Sequence, residues 1–155
     1  MHYKIHAIDV KNALKNYIWL LEDTTTQEVV VIDPTDADLV TAFCEQHQLE
    51  LKQIWLTHWH RDHTDGVQAL LAEQNLPVFG PRDELSKIAL ISHPLQHNDH
   101  FHFNDLKVEI IATPGHTLGH IVYFIEEIDI LFCVDILFAM GCGRLFEGIV
   151  ELMYH

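Results

Sequence analysis

The ten residues 57–66, T-H-W-H-R-D-H-T-D-G, hold most of the side chains of this protein that could do chemistry. They bring three imidazoles and two carboxylates together immediately after an apolar run. If that run is a β-strand, alternate side chains share a face, so His58 and His60 project the same way and can bind one metal ion. Asp62 and His63 follow where a helix would begin, close enough to serve a second ion. The spacing therefore predicts a two-metal site.

Two later positions complete the predicted site. The segment T-P-G-H-T at residues 113–117 follows an apolar run, and its Pro-Gly pair forces a tight turn that projects His116 from a loop. We predict His116 as the third ligand of the first ion. Asp135 closes another apolar run and is either a turn residue or an oxygen ligand that bridges both ions. Surface placement is the alternative for any of these histidines, because the chain has 13 of them.

The elements that must position these residues can be read from hydrophobic periodicity. Asp36 is expected to cap a helix that places Cys44 in the core, and the continuous apolar run 29–32 indicates a strand buried on both faces. Ligand sites of layered α/β proteins commonly lie at the carboxyl ends of strands. Strands are predicted at 3–8, 16–22, 28–32, 51–57, 77–80, 106–112, 121–126 and 129–134, and helices at 36–48, 62–75 and, more briefly, 81–88.

Residues 92–103 show no clean period. The histidines in this stretch lie among Asn and Asp residues, so we interpret His93, His97, His100 and His102 as loop residues rather than ligands. His120, at the start of a predicted strand, is interpreted as a residue that supports a ligand or packs nearby, rather than as a ligand itself.

Composition limits the function classes. The 155 residues are expected to form one domain, 1–155, and 9 Lys+Arg against 23 Asp+Glu give a formal charge of -14. Such a surface repels phosphate backbones, which argues against nucleic acid as a partner. We expect no membrane partner and a cytoplasmic location, because no apolar run is long enough for a span and the N-terminus lacks the pattern of a signal peptide. The three cysteines lack C-x-x-C spacing, which argues against a disulfide scaffold.

The motifs resemble those of a known group of enzymes. Residues 57–63 match the T-H-x-H-x-D-H motif of metallo-β-lactamase-like hydrolases, residues 113–117 resemble their second histidine loop, and Asp135 falls where their bridging aspartate stands. Residues 134–148, V-D-I-L-F-A-M-G-C-G-R-L-F-E-G, are similar to the G-D-T-L-F-x-x-G-C-G-K/R-x-F-E-G segment of glyoxalase II, the hydroxyacylglutathione hydrolases. The resemblance implies an α/β fold, the metallo-β-lactamase-like αββα sandwich, incomplete at its C-terminus.

The resemblance also implies a reaction. A binuclear metal site would hydrolyse the small-molecule thioester S-lactoylglutathione, with zinc expected and iron or manganese as other metals that such a site accepts. Water held between two divalent ions loses its proton near neutral pH and becomes the nucleophile. One ion would be held by His58, His60 and His116, and the other by Asp62, His63 and Asp135.

Roles beyond metal binding follow from the same resemblance. We assign Asp62 and Asp135 to catalysis, because they would hold the second ion next to the reacting water. The resemblance implies that Arg144 and Phe146 contact the glutathione moiety, and the planar fork of arginine suits a peptide carboxylate.

The sequence departs from the glyoxalase II pattern in two respects. Val134 and Ile136 replace the usual glycine and threonine beside the bridging aspartate. The last histidine ligand of the family has no counterpart, since the chain ends at His155 in what reads as the first turns of a helix. We therefore expect the N-terminal part of such an enzyme, one that binds one metal more readily than two and self-associates where its relatives are monomers.

Other functions share the metal motif. A glutathione-persulfide dioxygenase with one iron is the nearest enzyme alternative, and hydrolases of β-lactams or lactones are others. A nuclease is disfavoured by the acidic charge. The non-enzyme alternative is an inactive fragment that only binds metal or a partner chain.

Overall fold

The computed structural model of the chain describes residues 2–10, 17–57, 61–82, 90–112 and 121–132. These residues form two β-sheets packed face to face, with two helices against the outer face of the larger sheet. Among them, the structure contains no helix that is both long and apolar enough to cross a membrane.

The larger sheet, sheet A, joins an antiparallel half to a parallel half. Its strands, in spatial order, are β1 (Tyr3–Asp9), β2 (Tyr17–Asp23), β3 (Glu28–Ile32), β4 (Glu50–Trp55), β5 (Val78–Pro81) and β6 (His93–Leu95). The first three strands pair antiparallel, and β3 to β6 pair parallel. The predicted hairpin at 16–32 is confirmed as β2 and β3.

Helices provide two of the crossovers that parallel strands require. Helix α1 (Ala37–His47) connects β3 to β4, and α2 (Arg61–Glu73) connects β4 to β5. The predicted cap of α1 is confirmed, because the Asp36 Oδ1 accepts a hydrogen bond from the Leu39 N–H at 3.2 Å. Both predicted helices therefore lie within two residues of the observed bounds.

The smaller sheet, sheet B, is antiparallel throughout. It consists of β7 (His100–Phe103), β8 (Leu106–Ala112), β9 (Ile121–Ile125) and β10 (Ile130–Phe132), in the spatial order β10-β9-β8-β7. A 3-10 turn at Glu126–Ile128 connects β9 to β10, where the sequence predicts a hairpin turn.

Strand β3, in the middle of sheet A, is buried on both faces. Val29 and Val31 of β3 pack toward the helices, and Val30 and Ile32 pack toward sheet B. The prediction that the apolar run 29–32 is a strand buried on both faces is confirmed. Cys44 of α1 is 8% exposed in the helix-side core, and burial raises the pKa of its thiol to about 11. The core interpretation of Cys44 is confirmed.

Sheet B also carries apolar residues on the face turned away from sheet A. Alternation along β8 directs Val108 and Ile110 inward, where they join the core between the sheets, and directs Ile111 outward. Ile111 is buried together with Val122 and Leu131. A buried outer face is what the fourth layer of an αββα sandwich requires.

The loop interpretation of residues 92–103 is wrong for three of the four histidines. His93 lies in β6, and His100 and His102 lie in β7. The run H-F-H-F at 100–103 is an alternation in which Phe103 is buried while His100 and His102 are exposed. Because histidine is a weak polarity marker, this two-residue period was hidden in the sequence.

The predicted helix at 81–88 does not begin at residue 81, which lies in a strand. Pro81 is the last residue of β5 and pairs with Leu95 of β6. Residues 83–89 lie outside the described ranges, as does the predicted helix at 149–154.

Candidate metal centre

The structure describes the elements around the predicted ligands more fully than the ligands themselves. His58 and His60 lie between β4 and α2, His116 lies between β8 and β9, and Asp135 follows β10, all outside the described residues. Arg144 and Phe146 lie outside them too. The backbone of Asp62 and His63 lies in the first turn of α2, as predicted. The ligand assignments therefore stay predictions, and the described geometry tests their supports.

Those supports meet at one edge of the sandwich, which we call the site end. The Ile121 N–H at the start of β9 donates a hydrogen bond to the Thr57 carbonyl at 2.9 Å. Ala112, the last residue of β8, pairs with Ile121, so the residues around His116 leave from and return to this point. The segment before His58 and the strand that follows His116 are thereby joined through a backbone hydrogen bond.

The third support reaches the same edge. Strand β10 pairs antiparallel with β9, and its last residue, Phe132, lies opposite Tyr123. Because β9 runs away from the site end, β10 runs toward it. Asp135 follows Phe132 by three positions in the chain. The strands that precede the three predicted ligand segments thus all end at the site end, as the motif spacing requires.

A buried aspartate holds the residue before the first histidine. Asp33 follows β3 directly, and its Oδ1 accepts a hydrogen bond from the Thr57 N–H at 2.9 Å. Its Oδ2 accepts a second from the Thr57 hydroxyl at 2.6 Å. The Asp33 N–H donates to the Trp55 carbonyl at 2.9 Å. Asp33 adopts a φ of 49° to make these contacts, and Thr57 is fully buried.

Asp33 was not among the residues that the sequence predicted to serve the site. The parallel pairing of β3 with β4 is the feature that indicates this role. Because Ile32 lies opposite Trp55, Asp33 must lie near the residues that follow Trp55, which include Thr57. A threonine that becomes buried at a strand end needs an acceptor for its hydroxyl. An aspartate at the end of the adjacent strand is well placed to provide one.

Helix α2 is fixed to the same turn. A Cβ atom at Gly66 would collide with the backbone carbonyl of Pro34, so the helix lies directly on the turn that follows β3. Asp62 and His63 lie within one helical turn of Gly66. The close approach that glycine allows therefore sets the distance between the start of α2 and the ends of β3 and β4.

The donor set fits divalent metal ions. Neutral imidazoles and carboxylates together suit zinc, iron and manganese. Among the residues that the structure describes, no group of three or more His, Cys, Asp or Glu side chains is arranged to hold a metal. The exposed histidines of β6 and β7 therefore form no competing centre in the described part of the chain.

The described residues form an α/β sandwich in which the strands before the predicted ligand segments end at one edge. A sequence profile described as the Metallo-beta-lactamase superfamily matches residues 12–155. The chain belongs to this superfamily. Membership implies that it holds metal ions.

Individual relatives agree with this assignment. The chain is 44% identical over 143 residues to the hydroxyacylglutathione hydrolase of Shewanella halifaxensis, covering 90% of this chain and 54% of that protein. The B3 metallo-beta-lactamase BLEG-1 has the same fold, with a TM-score of 0.72 at 22% identity over 84% of this chain and 71% of that one. The structure of ETHE1 from Myxococcus xanthus is also similar, with a TM-score of 0.70 at 26% identity, covering 84% of this chain and 56% of that one. The chain spans about half the length of the curated relatives that it matches.

Proposed function

We propose that this chain carries the metal centre of a hydroxyacylglutathione hydrolase, which hydrolyses S-lactoylglutathione and related thioesters. The observation that carries the proposal is the hydrogen bond from the Ile121 N–H to the Thr57 carbonyl, which joins the two predicted histidine segments. The sequence similarity to proteins named hydroxyacylglutathione hydrolase supports the substrate class. Because the chain spans about half of those proteins, the activity of the whole enzyme is part of the proposal.

The proposed ligands divide into two sets. One ion, with zinc as the expected metal and iron or manganese as substitutes, would be held by His58, His60 and His116. The second would be held by Asp62, His63 and Asp135, and the last histidine ligand of the glyoxalase II pattern has no counterpart among these residues. We therefore propose that the chain binds the first ion more tightly than the second. Bound divalent ions would lower the pKa of water toward neutrality and polarise the thioester carbonyl.

The protein's own residues would orient these ligands and the substrate. The Asp33 carboxylate fixes both donors of Thr57, so the backbone enters the histidine segment in one conformation. In the proposed complex, Arg144 would bind a carboxylate of the glutathione moiety through its two-pronged fork, and Phe146 would pack beside it. We also propose that residues 1–155 form a single domain and that the protein is cytoplasmic. Its proposed partner is a small-molecule glutathione thioester.

The test is thioester hydrolysis by the purified chain with zinc added. The His58→Ala variant should lose at least about a hundredfold in kcat/KM, since it removes a proposed metal ligand. His102→Ala is the matched control, because His102 is an exposed histidine on β7, and it should keep full activity. Equal hydrolysis by wild type and His58→Ala would contradict the proposal. Stoichiometric zinc binding without any turnover would favour a metal-binding fragment instead.

A second candidate is a dioxygenase that acts on glutathione persulfide. The likeness to ETHE1 at 26% identity is the observation that favours it. Oxygen uptake with glutathione persulfide, present only when the protein is loaded with Fe(II), would support this reaction. Thioester hydrolysis with zinc and without oxygen uptake would exclude it as the main activity.

A further inference from the structure

The Leu56 carbonyl lacks its usual donor within sheet A. The Ile54 N–H of β4 donates to the Pro77 carbonyl at 3.1 Å. Two residues further along both strands, the Leu56 N–H donates to the Phe79 carbonyl at 2.8 Å. In this parallel alternation, the N–H that would reach the Leu56 carbonyl belongs to residue 81. Residue 81 is proline, which has no N–H. Leu56 is fully buried, so its carbonyl needs a donor from elsewhere.

Tyr123 of β9 supplies that donor from the opposite sheet. Its hydroxyl donates to the Leu56 carbonyl at 2.6 Å and lies 3.2 Å from the Phe79 carbonyl. A hydroxyl carries one hydrogen, and the shorter contact marks Leu56 as the main acceptor. The ring is held in place by stacking on Trp55, with centroids 5.1 Å apart and an interplanar angle of 13°.

The hydroxyl stays a donor over the whole physiological pH range. Tyr123 is fully buried between the sheets. Burial raises the pKa of Tyr123 well above its ordinary value, and the nearby Asp33 carboxylate adds to this. The phenol therefore remains protonated at physiological pH.

Two consecutive carbonyls before His58 are thus held from one strand. Tyr123 holds the Leu56 carbonyl, and the Ile121 N–H holds the Thr57 carbonyl. Both donors belong to β9, which follows the segment of His116. We infer that Tyr123 is a positioning residue: by replacing the N–H that Pro81 lacks, its hydroxyl fixes the backbone that leads into His58 relative to the strand that follows His116. The inference rests on the metal centre of the proposed function.

Because the Tyr123 hydroxyl replaces the N–H that Pro81 lacks, restoring that N–H should rescue the loss of the hydroxyl. Tyr123→Phe removes the hydroxyl and keeps the ring, so the Leu56 carbonyl loses its donor. Pro81→Ala returns an N–H at the position from which the sheet would supply one. The full chain is prepared as wild type, as each single variant and as the double variant. Tyr3→Phe is the matched control, because Tyr3 lies on β1 at the other end of the sheet.

The first readout is amide hydrogen exchange in metal-free protein. In Tyr123→Phe, the amides of residues 54–57 should exchange at least about tenfold faster relative to those of β8, and the double variant should recover most of the difference. Tyr3→Phe should exchange like wild type. Unchanged exchange in Tyr123→Phe, or faster exchange that Pro81→Ala does not reverse, would overturn the inference. If Tyr123→Phe alone does not fold, the double variant is compared with Pro81→Ala.

The second readout is zinc affinity, measured by competition with a chelating indicator. A displaced ligand segment should weaken zinc binding about tenfold in Tyr123→Phe, with recovery in the double variant. A lower urea midpoint with unchanged zinc affinity would show a purely structural role and overturn the inference. These readouts do not depend on thioester turnover. If wild type binds no zinc, the proposed function fails while the exchange comparison still decides the role of Tyr123.

Discussion

Both ends of the sandwich use a buried aspartate placed at or directly after a strand, yet what each aspartate holds differs. At the site end, Asp33 accepts from the backbone and hydroxyl of Thr57, next to a proposed ligand. At the opposite end, Asp23 accepts from the Asn104 side chain at 2.8 Å and from the Thr25 N–H at 3.0 Å. Asn104 belongs to the turn between β7 and β8, so this contact links the two sheets.

The difference shows how one kind of interaction can serve two purposes. At the opposite end the hydrogen bonds connect turns, and their loss should cost stability alone. At the site end they hold the segment that enters the histidine motif, and their loss should cost stability and metal affinity together. Measuring both quantities on variants from each end separates the two purposes.

The largest effect is expected for Asp33→Ala. Both Thr57 donors would lose their carboxylate acceptor in a fully buried position, at about 1–3 kcal/mol each. The free energy of unfolding of the metal-free protein should fall by about 3–5 kcal/mol in urea titrations. Zinc affinity should fall as well, because the loop before His58 is released. A loss of stability with unchanged zinc affinity would contradict the assigned role of the site end.

Gly66→Ala should have the next largest effect. The new Cβ would meet the Pro34 backbone, which cannot move without shifting the turn that carries Asp33. We expect a loss of about 3 kcal/mol in the free energy of unfolding, with weaker zinc binding. Gly80→Ala is the matched control, since its Cβ would meet the flexible end of the Ile91 side chain. Its cost should be about 1 kcal/mol, and equal costs for both glycines would show that α2 is not rigidly fixed to the turn.

At the opposite end, Asp23→Ala should cost less. It removes the acceptor of Asn104 and of the Thr25 N–H, and we expect a loss of about 1–2 kcal/mol in urea titrations. Zinc affinity should stay at the wild-type value. A drop in zinc affinity as large as that of Asp33→Ala would remove the distinction between the two ends.

The smallest expected effect is a pH dependence from Asp23. Burial alone would raise the pKa of Asp23, but hydrogen bonds from Asn104 and from the Thr25 and Thr26 backbone outweigh it, and the net pKa is lowered. A lowered folded-state pKa stabilises the protein above the unfolded pKa, and this stability is lost as pH falls through the folded pKa. The stability difference between wild type and Asp23→Ala should therefore be complete at about pH 6 and shrink below about pH 4. Urea midpoints of metal-free protein measure it, and a difference that grows on acidification would refute the assignment.

The sequence was sufficient where a hydrophobic period or a cap was unambiguous. The run 29–32 predicted a strand buried on both faces, and Asp36 predicted the start of α1; both are confirmed. The period of β7 was missed, because histidine alternating with phenylalanine does not separate polar from apolar positions clearly. Local pattern carries little information there, and packing against Trp55 and Phe79 fixes the strand.

The supports of the site were harder to predict than the ligands. Motif spacing predicted which residues could bind metal, and the strands around them end where the prediction requires. The roles of Asp33 and Tyr123 depend on which strands are neighbours and in which register. Tyr123 reaches Leu56 only because β9 lies across the core from β4, and no pattern within either segment shows this contact.

The tyrosine that reaches across the core also constrains how the protein folds. Its hydroxyl and the carbonyl that it holds are 67 residues apart in the chain. Closing so long a loop costs entropy that only the assembled sheets can offset. The histidine segments cannot be aligned by nearby residues early in folding. Metal capture by a refolding chain would therefore report the completion of both sheets, later than any signal from helix formation.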